Sequence, residues 1–201
     1  IDELFKKEFD VHRAAGTPHP IMTQNKLNGV VPYAHADLDI WRYNFTGVVA
    51  LHKATNLHVF GALDDVWVNE AGELIVVDYK ATSKDKEVNI NSDWQMSYKR
   101  QMETYQWLLR QNGFAVSDTG YFVYTNARMD VDAFGDKLDF VTKLIPYTGN
   151  DAWVEPTLKN MKKTMDSDTM PPVGDHIMGG PCEYCTYARA RTELTLKALK
   201  K

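Results

Sequence analysis

Apolar and polar residues follow two periods along this chain, and the switches between them mark out its elements. Residues 2–14 set Leu4, Phe5 and Phe9 on one side at helical spacing. Residues 16–33 are rich in Gly, Pro and Asn and predict loop. A short helix is expected over 37–42. Residues 45–51 and 56–63 are strand-like and are joined by His52-Lys53-Ala54-Thr55. Two further apolar runs, within 61–80, flank a short polar turn and predict a β-hairpin. Over 97–112, Tyr98, Met102, Tyr105, Leu108 and Leu109 form a helical stripe that Gly113 brings to a stop. Residues 120–125 predict a strand, and Leu138, Phe140, Thr142 and Leu144 alternate as another. A helix is expected over 155–165, Pro171-Pro172 breaks the chain, and a last helix follows Thr192. This order predicts an α/β fold with a mixed central β-sheet flanked by helices.

The hairpin carries the most informative chemistry. Glu70-Ala71-Gly72 fits a three-residue loop in which Gly72 takes the left-handed conformation. Asp64 and Asp78 lie equally far from Ala71 on either side, so this register sets them opposite each other. Side chains alternate along a strand, so Lys80 shares the face of Asp78. Both aspartates sit in apolar runs, Asp64 after Ala62-Leu63 and Asp78 after Ile75-Val76-Val77. Two close carboxylates repel each other, and a bound cation relieves that repulsion. Carboxylate oxygens suit Mg²⁺ and Mn²⁺. A lysine beside them can orient or deprotonate a water, or neutralise charge on a phosphate. A plain surface salt bridge is the competing interpretation. Asp65 falls on the opposite strand face and is expected to be structural or salt-bridging.

Gln101 and Tyr105 are four residues apart on the apolar stripe of the helix that follows. A glutamine there needs hydrogen-bond partners or costs stability. Gly-x-x-Asp64, a hairpin, apolar-apolar-Asp78-Tyr79-Lys80, and then Gln101-x-x-x-Tyr105 together resemble the PD-(D/E)XK nuclease superfamily, in particular its RecB-like exonuclease branch, which is related to CRISPR-associated nucleases. The resemblance is clear over residues 55–125. It implies a restriction-endonuclease-like core, with Asp64, Asp78 and the Tyr79 carbonyl as ligands of Mg²⁺ or Mn²⁺. Catalysis would fall to Asp64, Asp78 and Lys80, with Gln101 orienting the site and Tyr105 supporting it or contacting nucleic acid. A further ligand is expected from the first helix. Glu8, beside Phe9, is the first candidate and Asp2 the second, with His12, His35, His52 and His58 also open.

Composition bounds the picture. The 201 residues are 44% hydrophobic and 25% charged, enough for a real core and for a single nuclease-like domain over 1–201. Within it the core is expected over about 40–145, with a C-terminal segment over about 150–201. The chain starts at Ile1, so upstream residues are expected to be missing. No apolar run approaches a membrane span. A net charge of −4 runs against the usual basic balance of nucleic-acid proteins. Local cations remain at Lys84 and Lys86, Lys99 and Arg100, and Lys159, Lys162 and Lys163. Two cysteines exclude a disulfide scaffold and suit a reducing cytoplasm. Cys182-x-x-Cys185 resembles half of a metal knuckle. Some RecB-like nucleases hold an Fe–S cluster with four cysteines. Here Zn or Fe–S would need ligands outside this chain, or His176 for zinc, and a reduced pair is expected.

The function expected is a metal-dependent DNA nuclease, a RecB-like exonuclease acting on single strands or duplex ends in repair, recombination or defence. A helicase or nuclease partner fits that role. The alternatives are a nuclease-fold module that binds nucleic acid or a partner without cutting, and a hydrolase of small phosphoesters.

Overall fold

The computed structural model describes residues 1–176 and 179–200. A central five-stranded sheet is built from β1 (Val31–Pro32), β4 (Asp65–Val68), β5 (Leu74–Thr82), β6 (Thr119–Ala127) and β7 (Phe140–Thr148), in the order β1-β4-β5-β6-β7. β5 pairs antiparallel with β4 and parallel with β6, so the sheet is mixed. The parallel step from β5 to β6 needs a crossover, and α4 (Met96–Gln111) supplies it. β2 (Val48–His52) and β3 (Leu57–Gly61) form a separate two-stranded sheet. The remaining helices are α1 (Asp2–Ala15), α2 (Pro20–Gln24), α3 (Leu38–Arg42), α5 (Val154–Met165) and α6 (Glu183–Leu199). The mixed sheet with flanking helices is the α/β, restriction-endonuclease-like arrangement expected.

Both faces of β5 are covered, which is why it reads as a nearly continuous apolar run. Leu74 and Val76 face α4 and pack with Met102, Tyr105, Leu108 and Leu109. Ile75, Val77 and Tyr79 face the other way, against Phe9 of α1 and Ile21 and Met22 of α2. Strand alternation therefore divides one segment between two cores. Emptying either core is costly. Leu108→Ala would lose roughly 2–5 kcal/mol.

Two stretches differ from the sequence expectation. Residues 16–33 are not all loop. Pro20 opens α2, whose first turn is capped by His19 Nδ1 accepting from the Ile21 amide at 3.1 Å, and β1 pairs with β4. Pro at a first helical position is a start signal that the loop-rich composition hid. The final helix begins at Glu183, well before Thr192, and none of its residues is buried. With no apolar stripe, periodicity could not find its start. Among the described residues no helix is long and apolar enough to cross a membrane.

Candidate active site on the β4–β5 hairpin

The hairpin has the expected register. Asp65 pairs with Val77, Val66 with Val76, Trp67 with Ile75 and Val68 with Leu74. Asn69 closes the loop by donating its amide to the Glu73 carbonyl at 3.2 Å, and Gly72 adopts φ +78°. Asp64 directly precedes β4, so the same register sets it opposite Asp78. Because β4 starts only at Asp65, the Tyr79 amide lies beyond the ladder. It donates instead to Asp64 Oδ2 at 2.8 Å, which fixes that carboxylate at the strand end. Gly61 has its own reason. A Cβ there would lie 2.5 Å from the Tyr105 ring, so only glycine lets α4 approach this closely.

Asp78 is 1% exposed. Neither of its oxygens accepts an aligned hydrogen bond, although Lys80 Nζ lies against it as an ion pair. Burial is the main cause that pushes its carboxyl up to about 7. Lys80 pulls it down, and Asp64 pushes it up again. Asp64 is also raised, first by burial, against the opposing pull of the Tyr79 amide and Lys80. Lys80 Nζ further donates to Gln101 Oε1 at 3.3 Å and sits 4.6 Å from the Tyr98 ring centroid. Gln101 Nε2 donates to the Tyr105 hydroxyl at 2.8 Å. Burial pushes that hydroxyl up to about 12, so it stays neutral. A chain of contacts thus runs Asp78–Lys80–Gln101–Tyr105.

The opposite face of the hairpin is built differently. Asp65 is 0% exposed and fully engaged. It accepts from Arg42 Nη2 at 2.8 Å, the Val66 amide at 2.9 Å, the Tyr79 hydroxyl at 2.9 Å and Trp67 Nε1 at 3.3 Å, and Arg13 completes the set. Arg42 is tied in turn to Asp10 at 2.9 Å. This is the structural, salt-bridging role expected for Asp65.

The sequence-predicted residues divide accordingly. The fold brings together Asp64, Asp78, Lys80, Gln101 and Tyr105, with Tyr79 between the two acidic positions and the arginine network. Glu8 is not with them. It is exposed on α1 and binds His19 Nε2 at 2.8 Å. Adjacency to buried Phe9 does not bring Glu8 inward, because neighbouring helix positions point in different directions. Asp2 is the α1 carboxylate whose field reaches Asp64 and raises it, with Lys6 acting in the opposite sense. His52 is bound to Thr55 and Glu155, each at 2.7 Å, away from the hairpin. Tyr98 was legible only as core, yet it lies against Lys80; its place one turn before Gln101 was the available signal.

Cys182 and Cys185 are free and partly exposed at the start of α6. The Cys182 thiol is lowered by hydrogen bonding from Cys185, backbone first. Among the described residues no three His, Cys, Asp or Glu side chains are grouped to hold a metal.

The donor set at the hairpin still fits a hard divalent cation. Mg²⁺ is commonly held by one or two carboxylates, with waters and substrate phosphates filling the other positions. Asp78 and Asp64 offer that pair; Asp78 Oδ2 is in contact with Lys80, and Oδ1 has no hydrogen-bond partner.

Residues 12–190 match the family model of the PD-(D/E)XK nuclease superfamily. The chain belongs to this superfamily. Its members generally use divalent metals such as Mg²⁺ or Mn²⁺. The match spans the hairpin and α4 but begins after Asp2 and Glu8. No curated protein and no solved structure matches the chain.

Proposed function

We propose that this PD-(D/E)XK chain is a metal-dependent DNA nuclease of the RecB-like type, cutting from single strands or duplex ends. The observation that carries the proposal is Asp78, a buried carboxylate facing Asp64, touched by Lys80 and receiving no aligned hydrogen bond. A structural aspartate would be satisfied, as Asp65 is. The Asp78-Tyr79-Lys80 and Gln101-x-x-x-Tyr105 sequences support the RecB-like assignment.

Asp64 and Asp78 would hold Mg²⁺ or Mn²⁺, with the Tyr79 carbonyl alongside. The ion would supply Lewis-acid polarisation of the scissile phosphate. Lys80 is anchored between Asp78 and Gln101, so its ammonium is aimed rather than free to wander. It orients the attacking water and offsets charge developing on the phosphoryl oxygens. Gln101 holds Lys80, and the neutral Tyr105 hydroxyl accepts from Gln101, which fixes its amide orientation.

The test is cleavage of end-labelled single-stranded and duplex DNA in Mn²⁺, Mg²⁺ or EDTA, beside Asp78→Ala. Metal-dependent cutting that the variant loses is expected, with short products from the first time points marking an exonuclease. A ladder of internal cuts would remove the exonuclease assignment. Folded protein that binds DNA but never cuts it would replace the enzyme with a binding module.

A further inference from the structure

Beside the hairpin site, one tryptophan is displayed rather than buried. Trp94 lies in the short 3-10 turn Asp93–Gln95 and is 39% exposed, whereas Trp41, Trp67 and Trp107 are buried. Its turn is rigidly seated. Gln95 is buried, donates to the Asn89 carbonyl at 2.6 Å and accepts the Ser92 amide at 2.9 Å. The indole packs edge-to-face on Tyr98, with centroids 5.3 Å apart and planes at 81°. Tyr98 in turn carries Lys80 Nζ over its ring at 4.6 Å. Lys84 Nζ lies over the Trp94 ring, 4.9 Å from its centroid. Lys84 is itself held to β6, its amide donating to Asn126 Oδ1 and its carbonyl accepting from Asn126 Nδ2, each at 2.9 Å.

The result is an ordered series: Lys80, Tyr98, Trp94, Lys84. One aromatic ring separates the candidate catalytic lysine from an exposed indole, and a second lysine lies beyond it. Trp94 thus offers part of its indole to solvent in contact with one lysine and one ring away from another. Aromatic faces between cations suit a nucleic-acid strand: bases stack on the rings and the lysines follow the phosphates. A duplex hides its base faces by stacking them. Only an unpaired or terminal base offers a face to an indole.

We propose that Trp94 is a base-stacking platform that seats an unpaired nucleotide next to the hairpin site, with Lys84 on its phosphate. This rests on the nuclease reading above and names the substrate form the site takes: a single strand or a frayed end.

The test is fluorescence anisotropy in EDTA, where nothing is cut. The probes are labelled oligothymidylate of about 12 nucleotides and a blunt duplex. Trp94→Ala should bind the oligothymidylate about tenfold more weakly, with duplex binding changed far less. Trp94→Phe should recover most of the loss, because it restores a ring. The salt dependence should separate the two groups. Lys84→Ala should lower the slope of log K against log salt by about 0.7, and Trp94→Ala should leave it unchanged. Equal oligothymidylate affinity in wild type and Trp94→Ala would overturn the proposal, as would equal losses on both probes. Mn²⁺-dependent cleavage by the wild type, run alongside, separates the two claims. Cutting with no effect at Trp94 removes the platform alone. Neither cutting nor binding of any nucleic acid removes both.

Discussion

Asp65 and Asp78 are near neighbours in the same hairpin, both buried, and treated in opposite ways. Asp65 is surrounded by two guanidinium groups, a hydroxyl, an indole and an amide. Asp78 has Lys80 beside it and no aligned donor on either oxygen. A buried carboxylate costs several kcal/mol unless its lone pairs are satisfied. The first aspartate meets that requirement within the protein. The second has only Lys80 against it, and burial is the main cause that pushes its carboxyl up to about 7. Burial alone therefore does not mark a functional carboxylate; burial without enough partners does. Tyr79 joins the two environments. Its amide holds Asp64, its hydroxyl holds Asp65, and Asp78 and Lys80 flank it in sequence. The stiff network on one face thereby fixes the backbone that presents the other.

The largest expected effect on cleavage lies on the open face. Lys80→Ala should lower metal-dependent cleavage by on the order of 10²–10³-fold, the usual loss when a charge-stabilising donor is removed. Because Lys80 is the ion-pair partner of buried Asp78, its loss should also lower the urea midpoint. Cleavage is therefore compared on folded protein, and a rate within a few-fold of wild type would remove Lys80 from the mechanism. Next comes the closed face. Asp65→Ala leaves Arg13 and Arg42 only Asp10 as an acidic partner and takes the acceptor from the Tyr79 hydroxyl and the Trp67 indole. It should cost about 3–5 kcal/mol, read by urea unfolding. A loss below about 1 kcal/mol would mean that the network is not holding the hairpin.

The pH response should follow Asp78. In EDTA, folded Asp78 keeps a proton up to about pH 7, while the unfolded chain has lost it near the ordinary 3.8. The folded state binds more protons across that window, so stability falls as pH rises through it. Asp78→Asn should therefore stabilise the metal-free protein at pH 8 by about 1–3 kcal/mol, and the gain should fade towards pH 4. A destabilised variant at pH 8 would show that Asp78 is satisfied after all. The smallest effect is expected at Gln101. Gln101→Ala removes one hydrogen bond to Lys80, worth about 0.5–1.5 kcal/mol, so cleavage should slow by roughly tenfold or less.

Much of this contrast was legible in the sequence, for identifiable reasons. Gly72 fixed the loop, the loop fixed the register, and strand parity then put Asp64 and Asp78 on one face and Asp65 on the other. What parity could not give was the partners. Arg13 and Arg42 reach Asp65 from α1 and α3, and no local pattern encodes such a contact. Glu8 pairs with His19 for a related reason: nearness to an apolar residue in sequence does not set the direction of a helical side chain. The start of α6 was hidden because that helix buries no residue. Tyr98 read as an ordinary stripe residue and nothing in the sequence singled out Trp94, until the fold placed them beside Lys80 and Lys84.

The central claim is that the Asp64–Asp78 pair is left open for a divalent cation. Thermal melting of wild type and Asp78→Asn, each with and without Mn²⁺, tests it most directly. A ligand that binds only the folded state raises its stability, by about 2.7 kcal/mol at a hundredfold excess over Kd. The account predicts a clear Mn²⁺-dependent rise in the wild-type Tm and little or none in Asp78→Asn. Equal rises in both proteins would place the ion elsewhere and contradict the account.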